Sequence, residues 1–369
     1  MSVRASTIAI AMIGLAEALA VPASAQLQGQ TIRIATGAPL TGGAATFGVE
    51  MKQAVELALA EQNAGGGLLG GRVEARVADD EANDAKGLAV ARGFCEDPRI
   101  LGVVGHVNSN VSISASTAYQ ACGLLMITPM SSHPGVTDRG LPNVFRLTNR
   151  DDHKGPGLAA YLYRKVGKHR AVVVDDQTAY GKGLADLFAS AFAALGGTVV
   201  ARPTVKVGDR DFRALLRELP KDFDVLFFGG IAEAAYVLKQ MREFGLNQLF
   251  ACGDGCWNVK GFIQPAAGAA TQGQGVLVLS AAPAVGRVPG SAEFAERYTK
   301  AYGPIANYAA NSADVAAAMR GLRFQGIAYA RPVEWDTKGD NRAAVIFLNV
   351  VEGERFKEIG EITRDDVSK

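Results

Sequence analysis

His106 and Ser109 stand close together in the run Gly105-His106-Val107-Asn108-Ser109, a spacing that could serve a base and a nucleophile. A hydrolytic triad also needs an orienting acid within hydrogen-bond reach, and no feature of the sequence places one there. Ser109 instead precedes a helix expected to begin near Val111, where its hydroxyl would cap free amide groups. Such amides, with the helix dipole, make a seat for a carboxylate. Ser131 and Ser132 follow Thr128-Pro129-Met130, where Pro129 ends the strand's hydrogen bonding. Hydroxyls and backbone groups at that turn can serve both ends of a zwitterion, or simply form a serine-rich turn. Asp254 lies between Gly253 and Gly255 with no Lys or Arg beside it in sequence. It is either a turn residue or the partner of an ammonium group. Phe47 and Tyr180 occupy matched places after glycine-rich or polar turns and fit the walls of an apolar pocket.

Other motifs fail on context. Gly65-Gly66-Gly67-Leu68-Leu69-Gly70 matches G-x-G-x-x-G formally. It follows a helix and precedes a strand, the reverse of the order that brings a helix N-terminus to a pyrophosphate. The sequence holds no G-x-S-x-G elbow, no H-E-x-x-H and no phosphate-binding loop. Its histidines (His106, His133, His153, His169) lie far from the cysteines and lack ligand spacing, so neither a metal nor a cofactor is expected. Cys95, Cys122, Cys252 and Cys256 are an even set that permits three pairings.

The elements that must position these residues alternate. Strands are expected at Ile32–Ala38, Val73–Ala78, Leu101–Gly105 and Leu124–Thr128, with helices at about 48–63, 84–95 and 111–121. The pattern restarts with strands at Ala171–Asp175, Thr198–Pro203, Val225–Gly229 and Leu249–Cys252, separated by helical segments. This is βαβ grammar and implies parallel sheets. Three landmarks recur in order. Thr46-Phe47-Gly48 answers Ala179-Tyr180-Gly181, Val104-Gly105-His106 answers Gly229-Gly230-Ile231, and Thr128-Pro129-Met130 answers Gly253-Asp254-Gly255. Each lies where a strand hands over to a helix, the rim at which open parallel sheets bind ligands. Two such rims facing each other would form a cleft that closes by a hinge.

Composition narrows the class. With 38 basic and 37 acidic side chains the chain has no field to attract nucleic acid or an anionic membrane, so no nucleic-acid partner is expected. At 369 residues, two lobes of ordinary size are available. Residues 1–25 show a basic Arg4, an apolar stretch and the Ala23-Ser24-Ala25 ending of a secretory signal peptide cut before Gln26. The remainder is expected to be exported to a compartment that favours disulfides.

With these residues in place, the sequence resembles the leucine/isoleucine/valine-binding family of type I periplasmic substrate-binding proteins. The likeness is carried by Gly105–Ser109, by Leu125–Pro129 with Ser131-Ser132, and by Val136-Thr137-Asp138-Arg139-Gly140. It continues through Ala179–Leu184, Gly253-Asp254-Gly255 and Trp335–Asp340, covering nearly all of the chain after residue 25. The resemblance implies an α/β fold of two Rossmann-like lobes joined by three crossovers near Asp151, Ala281 and Ala343. One lobe would comprise 26–151 plus 281–343, the other 152–280 plus 344–369.

The resemblance further implies a non-enzymatic, monomeric receptor that delivers an amino acid to an inner-membrane ABC permease. Ser109 and Ser132 would hold the ligand carboxylate. The Met130 carbonyl, Ser132 and Asp254 would take the ammonium, and Phe47, Val107, Asn108, Tyr180 and Ile231 would meet the side chain. Ile231 replaces an aromatic found in many members, and Asn108 adds a polar group. No cation is evident at the pocket, which favours a small neutral, branched-chain aliphatic ligand. Family topology also makes a Cys95–Cys122 bridge feasible, and Cys252 with Cys256 would close a tight ring around Asp254. The segment Tyr308–Phe324 looks short for the family. Two alternatives are a receptor or sensor for short amides, urea-like compounds or aromatic acids, and a secreted hydrolase using Ser109 and His106.

Overall fold

The strand sequence VLFFG (225–229) is apolar throughout and buried at every position, the mark of a central strand in a parallel sheet covered by helices. A computed structural model describes residues 29–306, 323–324 and 332–363. The expected signal peptide, and Tyr308–Phe324 apart from a two-residue strand, lie outside the described residues.

The first lobe begins β1 (Thr31–Ala38), α1 (Ala45–Ala64), β2 (Arg72–Asp79), α2 (Asp84–Cys95), β3 (Ile100–Gly105), α3 (Ser109–Cys122), β4 (Leu125–Thr128) and β5 (Val144–Arg146). The chain then forms α4 (Asp151–Ala160), β6 (Arg170–Asp175), α5 (Ala179–Ala194), β7 (Thr198–Ala201), α6 (Arg213–Glu218), β8 (Val225–Gly229), α7 (Ala234–Glu243), β9 (Leu249–Cys252) and β10 (Val276–Ser280). After α8 (Ser291–Tyr302) come β11 (Arg323–Phe324), β12 (Val333–Glu334), β13 (Ile346–Glu352) and β14 (Arg355–Ile362).

The first sheet is ordered β2-β1-β3-β4-β5 and its strands pair in parallel. The second is ordered β14-β13-β10-β9-β8-β6-β7, so β6 to β10 repeat the same order before two antiparallel strands. Strand order reverses at β1/β3 in one sheet and at β6/β8 in the other, which creates a crevice at each. Because successive side chains alternate across a strand, Val172, Val174, Leu226 and Phe228 pack on one face of the second sheet. Their neighbours Ala171, Val173, Val225 and Phe227 pack on the other, where Phe227 stacks on Phe188 of α5 with ring centroids 4.2 Å apart. In the first sheet Ile34, Val104 and Ile127 face one core, and Ala35, Val103 and Met126 the opposite one.

Three passages connect the sheets. One follows β5. A second follows β10 and leads to α8, whose Phe294 and Tyr298 pack on Ala54 of α1. The third runs from Asp340, bridged to Arg146 beside β5, into β13. Helix α1 starts three residues before its expected position, and α4 was not expected at all. Gly155-Pro156-Gly157 reads as a helix breaker, but a Cβ at Gly155 would lie 2.9 Å from the Leu187 Cβ, so the glycine permits close packing of α4 on α5.

Candidate functional site

The repeat visible in the sequence becomes a pair of matched rims. Phe47 and Tyr180 each sit in the first turn of the helix after the first strand of their lobe. The glycines that follow them, Gly48 and Gly181, let those helices approach the strand ends: a Cβ would run into the Pro39 carbonyl in one and the Gly229 carbonyl in the other. Gly105 and Gly230 also match, with φ of 154° and 157° that a side chain would resist.

Between the rims lies a cavity open at its mouth; the space within it and its solvent-filled opening together is about 380 Å³. Phe47, Val107, Asn108, Ser109 and Met130 line it from one side, and Tyr180, Ile231, Asp254 and Gly255 from the other. Thus eight of the nine residues singled out for ligand contact share one cavity. Ser132 does not reach its wall. It is buried one layer behind, donates its backbone N–H to the Ser109 hydroxyl at 3.2 Å and accepts from the Asp151 N–H through its carbonyl. Its own hydroxyl lies beside the Asp151 carboxylate without completing a hydrogen bond.

The first-lobe end of the cavity is neutral and polar. Ser109 is the first residue of α3, with Asn108 in the N-cap position, so the expected capping role of Ser109 is replaced by another. Its Oγ accepts the backbone N–H groups of Ser132 and His133, both at 3.2 Å. With those lone pairs engaged, the hydroxyl hydrogen is left to donate into the cavity. The buried Oδ1 of Asn108 has no protein partner. Ser131, by contrast, is consumed internally, its single hydroxyl hydrogen shared between the carbonyls of His106 and Val107.

His106 is turned away from all of this. Its ring is fully buried, with Nδ1 2.7 Å from Asp80 Oδ2 and Nε2 3.0 Å from the Tyr119 hydroxyl. The hydrolase alternative therefore loses its base: neither ring nitrogen is available to Ser109.

The opposite end is ionic, and here the sequence reading is corrected. Asp254 begins a tight turn, Asp254–Cys256, and is almost fully buried. It has a cation after all: Lys154 of α4, itself buried, forms an ion pair with Asp254 Oδ2. The Tyr180 hydroxyl donates to Asp254 Oδ1 at 2.8 Å and accepts the Gly255 N–H at 2.9 Å. On its far side Lys154 lies 3.5 Å from Asp151 Oδ1. Burial pushes the Asp151 carboxyl up to about 6; Lys154 pulls it down and Asp254 pushes it further up. Burial likewise raises the Tyr180 phenol well above its ordinary range, so it remains the proton donor to Asp254. Asp254 and Tyr180 thus line the cavity, and behind them Lys154 and Asp151 continue a buried acid–lysine–acid row.

Cys252 lies beside Cys256 around this turn, with Cα atoms 6.3 Å apart, and Cys95 lies beside Cys122 at 6.0 Å. Both separations are within bridging range. Among the described residues no cluster of potential ligands could hold a metal ion, and no helix is long and apolar enough to cross a membrane.

A family model described as periplasmic binding protein matches residues 31–345. A Leu/Ile/Val-binding protein homolog of Brucella abortus is 38% identical over 226 residues, 61% of this chain and 61% of that relative. The chain thus spans under two thirds of the length of such relatives in these matches. The crystal structure of a leucine-binding protein, LivK, of Thermotoga maritima superposes with a TM-score of 0.81 at 25% identity, covering 91% of this chain and 99% of that one. An ABC transporter substrate-binding protein of Desulfitobacterium hafniense in complex with Leu is 27% identical with a TM-score of 0.71, covering 89% and 100%. The chain belongs to the periplasmic binding protein family and has a type I two-lobe fold.

Proposed function

We propose that this protein is the periplasmic substrate-binding receptor of an ABC importer and that it takes a small neutral amino acid with an apolar, branched-chain side chain. The observation that carries this reading is the cavity itself. Matched rims of two lobes supply apolar walls, hydroxyl and amide donors at one end and an acid at the other.

In this reading Ser109 binds the ligand carboxylate, held in position by the Ser132 N–H. The Met130 carbonyl and Asp254 take the ammonium. Phe47, Val107, Asn108, Tyr180 and Ile231 surround the side chain. The lobes 26–151 plus 281–343 and 152–280 plus 344–369 close about the three passages, excluding water and strengthening each polar contact. The names of the similar proteins, Leu/Ile/Val-binding and leucine-binding, support the ligand class. We further propose export with removal of residues 1–25, oxidation of both cysteine pairs, a monomeric state and an inner-membrane permease as partner.

The test is a thermal-shift screen of the purified chain against amino acids, short amides and aromatic acids. A ligand at 100 times its dissociation constant stabilises the fold by about 2.7 kcal/mol, a clear rise in melting temperature. Leucine, isoleucine or valine should give the largest rise. A rise confined to amides or aromatic acids would replace the amino acid with that class.

A further inference from the structure

We propose that Lys154 is a resident counter-ion for Asp254, and that the cleft consequently accepts small apolar 2-oxo acids, which lack an ammonium group, about as well as the corresponding amino acids. The inference rests on the proposed ligand class and refines it.

Asp254 has one carboxylate oxygen on the Tyr180 hydroxyl and the other on the Lys154 ammonium. In a site whose buried acid relied on the ligand for its cation, a ligand without an ammonium would leave that acid stranded. Such sites reject the deficient analogue by large factors, because the cost is that of a buried unpaired group. Here both oxygens keep their partners whether or not an ammonium arrives, and omitting it strands nothing. An incoming ammonium must instead share Asp254 with a lysine already in contact, so like-charge repulsion offsets part of its attraction. Asp151, on the far side of Lys154, steadies the lysine and does not line the cavity.

The rest of the cavity suits the same ligands. A 2-oxo acid keeps the carboxylate for Ser109 and the apolar chain for Phe47 and Ile231. Its carbonyl replaces the ammonium with a neutral acceptor. The Asn108 amide, on the wall beside Ser109 and with its Oδ1 unpartnered, has the donor that such a carbonyl needs.

Calorimetric titration of the whole chain with leucine and with 4-methyl-2-oxopentanoate tests this directly. The expected result is two dissociation constants within about tenfold of each other. In Lys154→Gln, Asp254 loses its resident cation, and the preference for leucine over the oxo acid should rise by at least about 100-fold. Leucine binding in the wild type with the oxo acid weaker by 100-fold or more would overturn the proposal and leave the amino-acid reading standing. If neither compound binds, the ligand class is wrong and the proposal falls with it. The wild-type ratio decides the matter even if Lys154→Gln does not fold.

Discussion

Arg146 grips Asp340 with two nitrogens, Nε at 2.8 Å and Nη2 at 2.6 Å, and so ties the end of the first sheet to the last passage between the lobes. Arg146 is fully buried; it also donates to the His133 carbonyl at 2.7 Å and to the Thr137 hydroxyl. Arg150 reaches the other oxygen of Asp340 at 2.9 Å and pairs as well with Asp138 and Asp152. The segments at the first and third passages are therefore tied together by a network of fixed charges.

Replacing Arg146 should be expensive for that reason. Arg146→Met leaves Asp340 nearly buried with only one of its two arginines, and breaking such a pair costs about 3–5 kcal/mol. Arg146→Lys should rescue little, since one ammonium cannot reproduce the planar fork. Arg150→Ala, on a more exposed guanidinium, should cost less. Urea midpoints of the three variants check the order; equal midpoints for Arg146→Met and Arg150→Ala would contradict it.

The cysteine pairs differ in the loop they close. Cys95 and Cys122 are 27 residues apart and Cys252 and Cys256 are 4 apart. Chain entropy alone assigns a bridge of the first kind roughly 3–4 kcal/mol and one of the second roughly 2 kcal/mol. Replacing each pair by alanine should lower stability in that order, and non-reducing peptide mapping should find no free thiol. Free thiols at both pairs would refute the assignment.

Much of this architecture is legible in the chain because its strands are short apolar runs bounded by glycine, and because cleft residues fall at strand-to-helix handovers. Phe47, Ser109, Tyr180 and Asp254 are found that way. Lys154 is not, for two physical reasons. Its helix is disguised by Gly155-Pro156-Gly157, and its partner Asp254 is 100 residues away, brought close only by the second lobe's fold. His106 misleads in the opposite sense. Proximity in sequence pairs it with Ser109, while the fold pairs it with Asp80, 26 residues earlier. Periodicity reports which face is buried, and it says nothing of which distant charge will meet another there.

Ser109 carries a second prediction about the cleft. Its oxygen is the acceptor for the buried Ser132 N–H and the partly buried His133 N–H, so Ser109→Ala should cost about 1–3 kcal/mol of stability through the orphaned donors. It should also weaken ligand binding by about tenfold through loss of the hydroxyl donor. Calorimetry and melting of the same variant read both. Unaltered affinity would place the carboxylate elsewhere.

Asp176 sets a pH dependence whose sign is unusual for a carboxylate. It is buried at the end of β6, and burial pushes its pKa up to about 6, against the pull of the Thr178 N–H and hydroxyl; Glu233 and Asp175 push it further up. Between the ordinary carboxylate value near 4 and about 6, the folded chain holds a proton that the unfolded chain releases. Stability therefore falls as pH rises through that window, by about 1.4 kcal/mol per unit for one such group, and is flat above it. Asp151, raised for the same reason, adds a limb of the same sign. Asp138 opposes them: Arg150 holds it down to about 2, so its contribution is present above about 4 and lost as pH falls toward 2. Asp176→Asn keeps an acceptor for Thr178 and removes one of the two falling limbs. Urea midpoints from pH 4 to pH 8 should show the variant more stable than the wild type at pH 7 and with about half its slope below pH 6. Parallel curves for the two proteins would mean that Asp176 is ionised in the folded state throughout.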